Sequence, residues 1–276
     1  MEARAFRGWG GQSLETTVLA SRQLTPLTHG IQLTKPAGFS FHPTQFTPLT
    51  LKTDEGLDAR PMSIATSPTR PNLEYAVRVS DSPYKRAFAS LRPGDSVRVK
   101  GPFGDFVLEE DRPAVLLAGG IGITPLKGMA EYAADNALPI PVRLVYSNRS
   151  EEEIAYRAEL EELQRRNTHF RVLHTLTGSN VAKGWRGSVG RIGTRQLQEA
   201  TRGVGRARVL HLRKTEHGDD DAEPLVRLRR PRGRLEGGSL PRLSGLGPIT
   251  REETSSRLTC GRFYVKFSHA PSINYG

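Results

Sequence analysis

From Leu14 to about residue 110, apolar and polar side chains alternate in short runs. LETTVLASRQLT, GIQLTKP, FTPLTLKT, LEYAVRVS and DSVRVKGPFGDFVL have the period of two of half-buried strands, with Gly, Pro or Asp between them. SPYKRAFASLRPGD interrupts them as a short helix closed by a Pro-Gly-Asp turn. Strands at that spacing predict an antiparallel barrel or sandwich. After Pro113 the rhythm changes. AVLLAGG is an apolar run ending in glycines, as a buried parallel strand should be. TPLKGMAEYAADNA follows with helical spacing and Pro125 in its first turn. PVRLVYSNRS, EEEIAYRAELEELQRRN and FRVLHTLT then give strand, amphipathic helix and strand, the helix acidic at its start and basic at its end. This alternation predicts a doubly wound parallel sheet whose ligand site lies at the glycine-rich loop after its first strand. From about Gly205 no period survives. The predicted layout is a flexible N-terminus over 1–10, an antiparallel β-barrel over 11–110, an incomplete α/β domain over 111–205, and an irregular, disordered basic tail over 206–276.

The chain has 276 residues, enough for one large domain or two small ones. A hydrophobic content of 36% with a mean hydropathy of −0.47 is low for a globular protein but too high for wholesale disorder. The net charge is +11, and residues 204–276, with 14 Lys/Arg against 8 Asp/Glu, hold +6 of it. Cys260 is the single cysteine, which excludes a disulfide framework and any four-cysteine zinc or iron–sulfur site within the chain. No run of 18 apolar residues exists, and MEARAFRGWGGQS lacks a signal-peptide core, so a soluble cytoplasmic protein with no membrane partner is expected. Histidines 29, 42, 169, 174, 211, 217 and 269 show no metal-ligand spacing. His174, on an apolar strand, reads as a satisfied core residue.

Three segments carry candidate chemistry. Arg60-Pro61-Met62-Ser63-Ile64-Ala65 falls between two predicted barrel strands, Gly101-Pro102-Phe103-Gly104 follows a turn and a strand, and Ala118-Gly119-Gly120-Ile121-Gly122-Ile123-Thr124-Pro125 opens the parallel domain. Each alone is weak. A glycine cluster can simply make a tight packed turn, and an Arg-Pro pair is common. In this order and spacing, over about residues 12–200, the set resembles the ferredoxin–NADP reductase family of flavoproteins.

The resemblance implies an FAD-binding barrel followed by an NAD(P)-binding domain. Arg60 would pair with the cofactor pyrophosphate in a fork contact that lysine cannot copy. Ser63, the implied catalytic residue, would offer its hydroxyl to the flavin N5 region, where hydride arrives. Met62 replaces the family's aromatic and would pack against the ring. Ala76, Val77 and Arg78 match the strand along the rest of the cofactor, with Pro61 beside the arginine. In place of a small Gly/Ser loop near 82–86 stand Tyr84, Lys85 and Arg86, whose cations would replace part of the backbone donor set. A solvated helix face is the plain alternative for Lys85 and Arg86. Gly119, Gly120 and Gly122 would let backbone N–H groups approach a second pyrophosphate at a helix N-terminus, with Thr124 and Pro125 near the nicotinamide. Ser147, Asn148 and Arg149 would receive the adenosine ribose, and the arginine favours a 2′-phosphate, hence NADPH over NADH. The alternative there is a surface arginine beside Glu151-Glu152-Glu153. Tyr156 reads first as core and second as an adenine stack. The implied partner is a small electron-carrier protein, ferredoxin or flavodoxin, or an oxygenase component.

The family's end, a strand finishing in Cys-Gly-Pro-x-x-Met followed by a helix and a last strand, is missing after Gly205. Codon degeneracy supplies a reason. Residues 208–222, RVLHLRKTEHGDDDA, read from the second base of each codon permit E-Y-Y-I-C-G-K-P-S-M-V-T-T-T-L. A one-base slip near codons 203–208 would turn the family's end into an unrelated tail and leave the parallel sheet without its next strand. Such a chain would reduce flavin with NADPH weakly or not at all. Two rival classes stand beside the oxidoreductase: an inactive frameshifted product, and a basic nucleic-acid-binding protein. The second is disfavoured because no aromatics interleave with the arginines of 206–242, so no nucleic-acid partner is expected.

Overall fold

The computed structural model describes residues 13–104, 108–204, 207–211, 258–260 and 263–265. The first lobe is a six-stranded antiparallel sheet made of β1 (Ser13–Thr25), β2 (Thr28–Thr34), β3 (Phe46–Thr53), β4 (Gly56–Ser63), β5 (Asn72–Arg78) and β6 (Ser96–Lys100), in the order β4-β3-β6-β1-β2-β5. The sheet curls until its two edges approach, and just past β4 the Ala65 N–H donates to Glu74 O of β5 at 2.8 Å. Alternate side chains fill the interior: Val18, Ile31, Leu33, Leu49, Ile64, Leu73 and Val99 are all essentially inaccessible to water. Helix α1 (Pro83–Ser90), capped by Ser82, closes this core with Tyr84 and Phe88.

The Arg60–Ser63 motif lies on strand β4 itself, not between two strands as expected. Pro61 is tolerated because β4 is a sheet edge. Its ladder partner Pro48 sits beyond the short β3–β6 pairing, which begins at Leu49.

The second lobe is a five-stranded, wholly parallel sheet in the order β10-β9-β8-β7-β11. Its strands are β7 (Ala114–Gly119), β8 (Val142–Asn148), β9 (Phe170–Leu176), β10 (Ser188–Val189) and β11 (Arg208–His211). Helices α2 (Thr124–Asp135) and α3 (Arg157–Arg166) cover one face through Leu126, Met129, Ala130, Leu160 and Leu163. Helix α4 (Thr194–Thr201) covers the other through Ala200 against Val115, Leu117 and Val145. The winding therefore reverses at β7, which places a crevice beyond its C-terminal end, at Gly119.

Strand β11 corrects the expectation of a missing neighbour and of a lobe ending at 205. Arg208 through His211 pair with Ala114 through Leu117, and Leu210 is fully buried. Four residues are too few to display a period. The pairing comes from β7, whose outer backbone groups and apolar side chains would otherwise face water. A short antiparallel pair, β12 (Leu258–Cys260) with β13 (Phe263–Val265), is also described within the segment read as irregular. The Cys-Gly-Lys-Pro-Ser-Met of the shifted frame would begin at residue 212, and the remainder of 212–276 lies outside the described residues.

Candidate functional site

On the barrel side the motif residues take different environments. Arg60, about a third exposed, turns its Nε to Asp58 Oδ2 at 3.0 Å. Ser63 is buried opposite Phe46 in the ladder. Met62 departs from its expected place against a ring: it is 1% exposed and belongs with Leu49, Ile64 and Tyr75 to the barrel core, where a thioether fills apolar space at no polar cost. Ala76 and Val77 are buried too, Val77 inside the barrel and Ala76 in the core it shares with the second lobe. Tyr84 is a second correction, since its hydroxyl donates to Leu49 O at 2.9 Å inside the core and it holds α1 to β3. Arg86 remains outside and pairs with Asp54 at 2.9 Å. The Lys85 side chain is half-buried, and its backbone N–H is the group that Ser82 caps.

On the α/β side, β7 ends at Gly119 and a single tight turn, Gly120–Ile123, leads into α2. Gly120 has φ +50°, and a Cβ placed on Gly119, Gly120 or Gly122 would meet no heavy atom within 4 Å. These glycines do not make room for neighbouring protein; they leave a hollow. Open space of this kind also surrounds the turn glycines Gly38, Gly56 and Gly94, so it leaves room for a ligand without requiring one. Thr124 Oγ1 donates back to Ile121 O at 3.2 Å, and Thr124 and Pro125 are buried. Beneath the loop, Tyr146 donates its hydroxyl to Gly120 O at 3.1 Å, and burial pushes its titration up.

Beside Gly120 a cavity of about 280 Å³ is lined by Ser147, Asn148, Arg149, Glu153 and Thr177 and, from the barrel, by Arg78. Asn148 is 5% exposed, and its Nδ2 makes no hydrogen bond of acceptable geometry. Arg78 reaches across to Glu153 at 3.0 Å. Glu151 turns instead to Arg157, so the acidic run does not neutralise Arg149 among the described ion pairs. The sequence pattern had set Arg78 with the flavin strand and had singled out neither Thr177 nor Glu153 as lining. Both reach the cavity only because β8 and β9 end side by side. Tyr156 is a core residue, 2% exposed. His174 is half-buried on β9 and not satisfied: neither ring nitrogen has a partner, and burial draws its pKa down to about 4.

Comparison with known proteins places this geometry. The oxidoreductase NAD-binding domain family matches residues 116–216. Ferredoxin–NADP reductase B of Sorangium cellulosum is 30% identical over 185 residues, which covers 65% of this chain and 75% of that protein. The chain belongs to the ferredoxin–NADP reductase family. The glycine betaine monooxygenase reductase subunit of Chromohalobacter salexigens is 31% identical over 173 residues, 59% of this chain, and this chain spans only 46% of that subunit's length. Among solved structures, a ferredoxin NADP+ reductase from Neisseria gonorrhoeae with bound FAD and NADP superposes with a TM-score of 0.62 at 21% identity, over 73% of this chain and 85% of its own. The cytochrome b5 reductase domain of Ulva prolifera nitrate reductase gives 0.59 at 18% identity, over 72% and 87%. At such identities these two speak for the two-lobed fold. No helix among the described residues is long and apolar enough to cross a membrane.

Proposed function

We propose that the chain holds FAD along the seam between β4 and β5, takes NADPH over the Gly119–Gly122 loop, and transfers hydride between them. The observation that carries this is the cavity built by both lobes, where a barrel arginine, Arg78, meets Gly120, Ser147, Asn148 and Arg149. The residues suit the groups. Strands β4 and β5 are the two edges of the curled sheet, so backbone donors and acceptors remain for a ring with a polar rim. FAD, when bound, supplies a centre that accepts a hydride and hands on electrons one at a time. Arg60 holds a pyrophosphate by its fork, exchanging Asp58 for phosphate oxygens. Ser63 offers a hydroxyl at the hydride-accepting edge. The N–H groups after Gly119 bind the second pyrophosphate, Asn148 gives its unused donor, and Ser147 with Arg149 receives a 2′-phosphate, which favours NADPH over NADH. Thr124 and Pro125 wall the nicotinamide end.

Electrons leave to a separate acceptor, either a small carrier such as ferredoxin or flavodoxin or an oxygenase component. The names of the Sorangium and Chromohalobacter relatives support both. The Cys-Gly-Lys-Pro-Ser-Met string is available only in the shifted frame, so hydride transfer by this chain is weak. The purified protein is expected to be yellow and to bleach slowly with NADPH in stopped flow, and a frame-restored version to bleach faster. A colourless protein that does not take up FAD overturns the assignment. Equal rates in the two versions overturn the account of the tail, as does a nucleotide sequence across codons 200–225 incompatible with the shifted string.

A further inference from the structure

Helix α2 faces the barrel with a stripe of residues at helical spacing: Thr124, Lys127, Gly128, Glu131 and Asp135. Gly128 is seated on barrel backbone. A Cβ there would stand 2.8 Å from Thr66 O and 3.2 Å from Ile64 O, three and one residues beyond Ser63. Next to it, Lys127 is 4% exposed and Glu74 of β5 is 2% exposed, and their charges meet at 3.1 Å. Glu131, a turn later, lies 3.5 Å from Lys127, accepts the Ser67 N–H at 2.9 Å and takes Arg70 Nε at 2.9 Å. Asp135 takes Arg70 and, from α3, Arg166. Arg22 of β1 joins Glu74 at 3.2 Å and Glu159 of α3 at 2.7 Å. The Lys127 ammonium also lies over the Tyr156 ring, 5.3 Å from its centroid.

A dry junction of this kind is a poor way to gain stability, because apolar side chains of similar volume hold two surfaces together without the cost of desolvating ions. What ions add is a fixed register. Apolar surfaces tolerate sliding, whereas a buried hydrogen-bonded pair is lost within an ångström of displacement, leaving both charges stranded. Since α2 carries Thr124 at its start and rests on the chain leaving Ser63, a slide at this junction moves the two halves of the proposed reaction centre past each other.

We propose that the Lys127–Glu74 pair, together with Gly128 seated on Ile64 and Thr66, is a positioning contact that fixes the nucleotide lobe against the flavin lobe and so sets the distance for hydride transfer. It rests on the function proposed above but touches neither cofactor. The test uses the full chain with Cys260→Ser and spin labels at exposed positions of the two lobes, through Ser96→Cys and Ala158→Cys. In this background Lys127→Met with Glu74→Leu leaves no stranded charge, because Arg22 keeps Glu159 and Glu131 keeps Ser67 and Arg70. The double variant is expected to melt within a few degrees of its parent while its interlobe distance distribution, read by double electron–electron resonance, broadens about twofold. Its FAD and NADP+ affinities should stay within about twofold, while the charge-transfer absorbance between the two rings is lost. Gly128→Ala, which keeps every charge, should shift the mean distance and serves if the double variant does not fold. An unchanged distance distribution in both variants, or a broadened one with the absorbance intact, overturns the proposal. If the parent takes up no FAD, the functional reading fails, and the label distances alone decide whether this junction fixes the lobes.

Discussion

Along α2 the two lobes meet through the buried side chains of Lys127, Glu74 and Glu131, with a glycine pressed on backbone carbonyls. At the ends of β5 and β8 the same lobes meet through Arg78 and Glu153, whose side chains are 46% and 15% exposed beside an open cavity. Both contacts are ion pairs at about 3 Å, yet they do opposite things. A dry pair cannot exchange its partner without stranding a charge, so it holds. A wet pair exchanges at little cost, so its carboxylate can yield to a ligand anion of the kind proposed above. The same arrangement recurs at Arg60 with Asp58 and at Arg86 with Asp54. Three arginines of the proposed cofactor sites thus each hold an aspartate or glutamate, and in this reading the contrast separates what must not move from what a ligand displaces.

The largest effects should come from the dry junction. Gly128→Val drives a branched side chain into Thr66 O, which is backbone and cannot swing away, and overpacking of this kind costs about 3 kcal/mol. Urea unfolding measures it. A loss below about 1 kcal/mol would mean that the junction slides, and the distinction drawn above would fall.

Beneath the open end, His174 packs on Tyr146, which in turn holds Gly120. Burial lowers its folded-state pKa from 6.5 to about 4. Above pH 6.5 both folded and unfolded chains carry it neutral, and it contributes nothing to the pH dependence. Below 6.5 the unfolded chain takes a proton that the folded chain refuses, so stability falls until about pH 4, by about 3 kcal/mol at most. Melting temperatures across that window should decline less in His174→Phe, and identical slopes would show that the ring finds a partner.

Arg60→Ala should weaken FAD binding by about 1.5–3 kcal/mol, roughly 10–150-fold, through loss of one charge-assisted contact. Fluorescence titration reads it, and unchanged retention would remove Arg60 from the phosphate site. The smallest effect belongs to Glu153→Gln. As half of a wet pair it should alter stability by less than about 1 kcal/mol. It should tighten 2′,5′-ADP binding a few-fold in calorimetry, because Arg78 is released. Weaker binding would show that Glu153 is part of the receptor and not a placeholder.

Periodicity is a local property, and what it can encode was legible. The alternation in LETTVLASRQLT and FTPLTLKT placed the barrel strands. AVLLAGG before TPLKGMAEYAADNA placed the parallel strand, the loop and α2, and the order of lobes followed. Serine, asparagine and arginine at the end of β8 marked the side of the sheet where the cavity lies. Less legible was the state of each candidate. Glycines in a row do not say what surrounds them, and only the fold shows open space at Gly119, Gly120 and Gly122.

What the sequence by itself determined is therefore the succession of elements and the residue types offered at the loop ends, because side-chain spacing and turn chemistry act within a few positions. Tertiary structure alone decided which of those residues face out. It drew Met62 and Tyr84 into the barrel core, brought Arg78 to the cavity beside Gly120, and paired Arg208–His211 with β7. It also joined Lys127 to Glu74 across 53 positions of chain. Such contacts depend on how two lobes dock, and docking is governed by buried area and charge pairing between distant segments, which no spacing along the chain records.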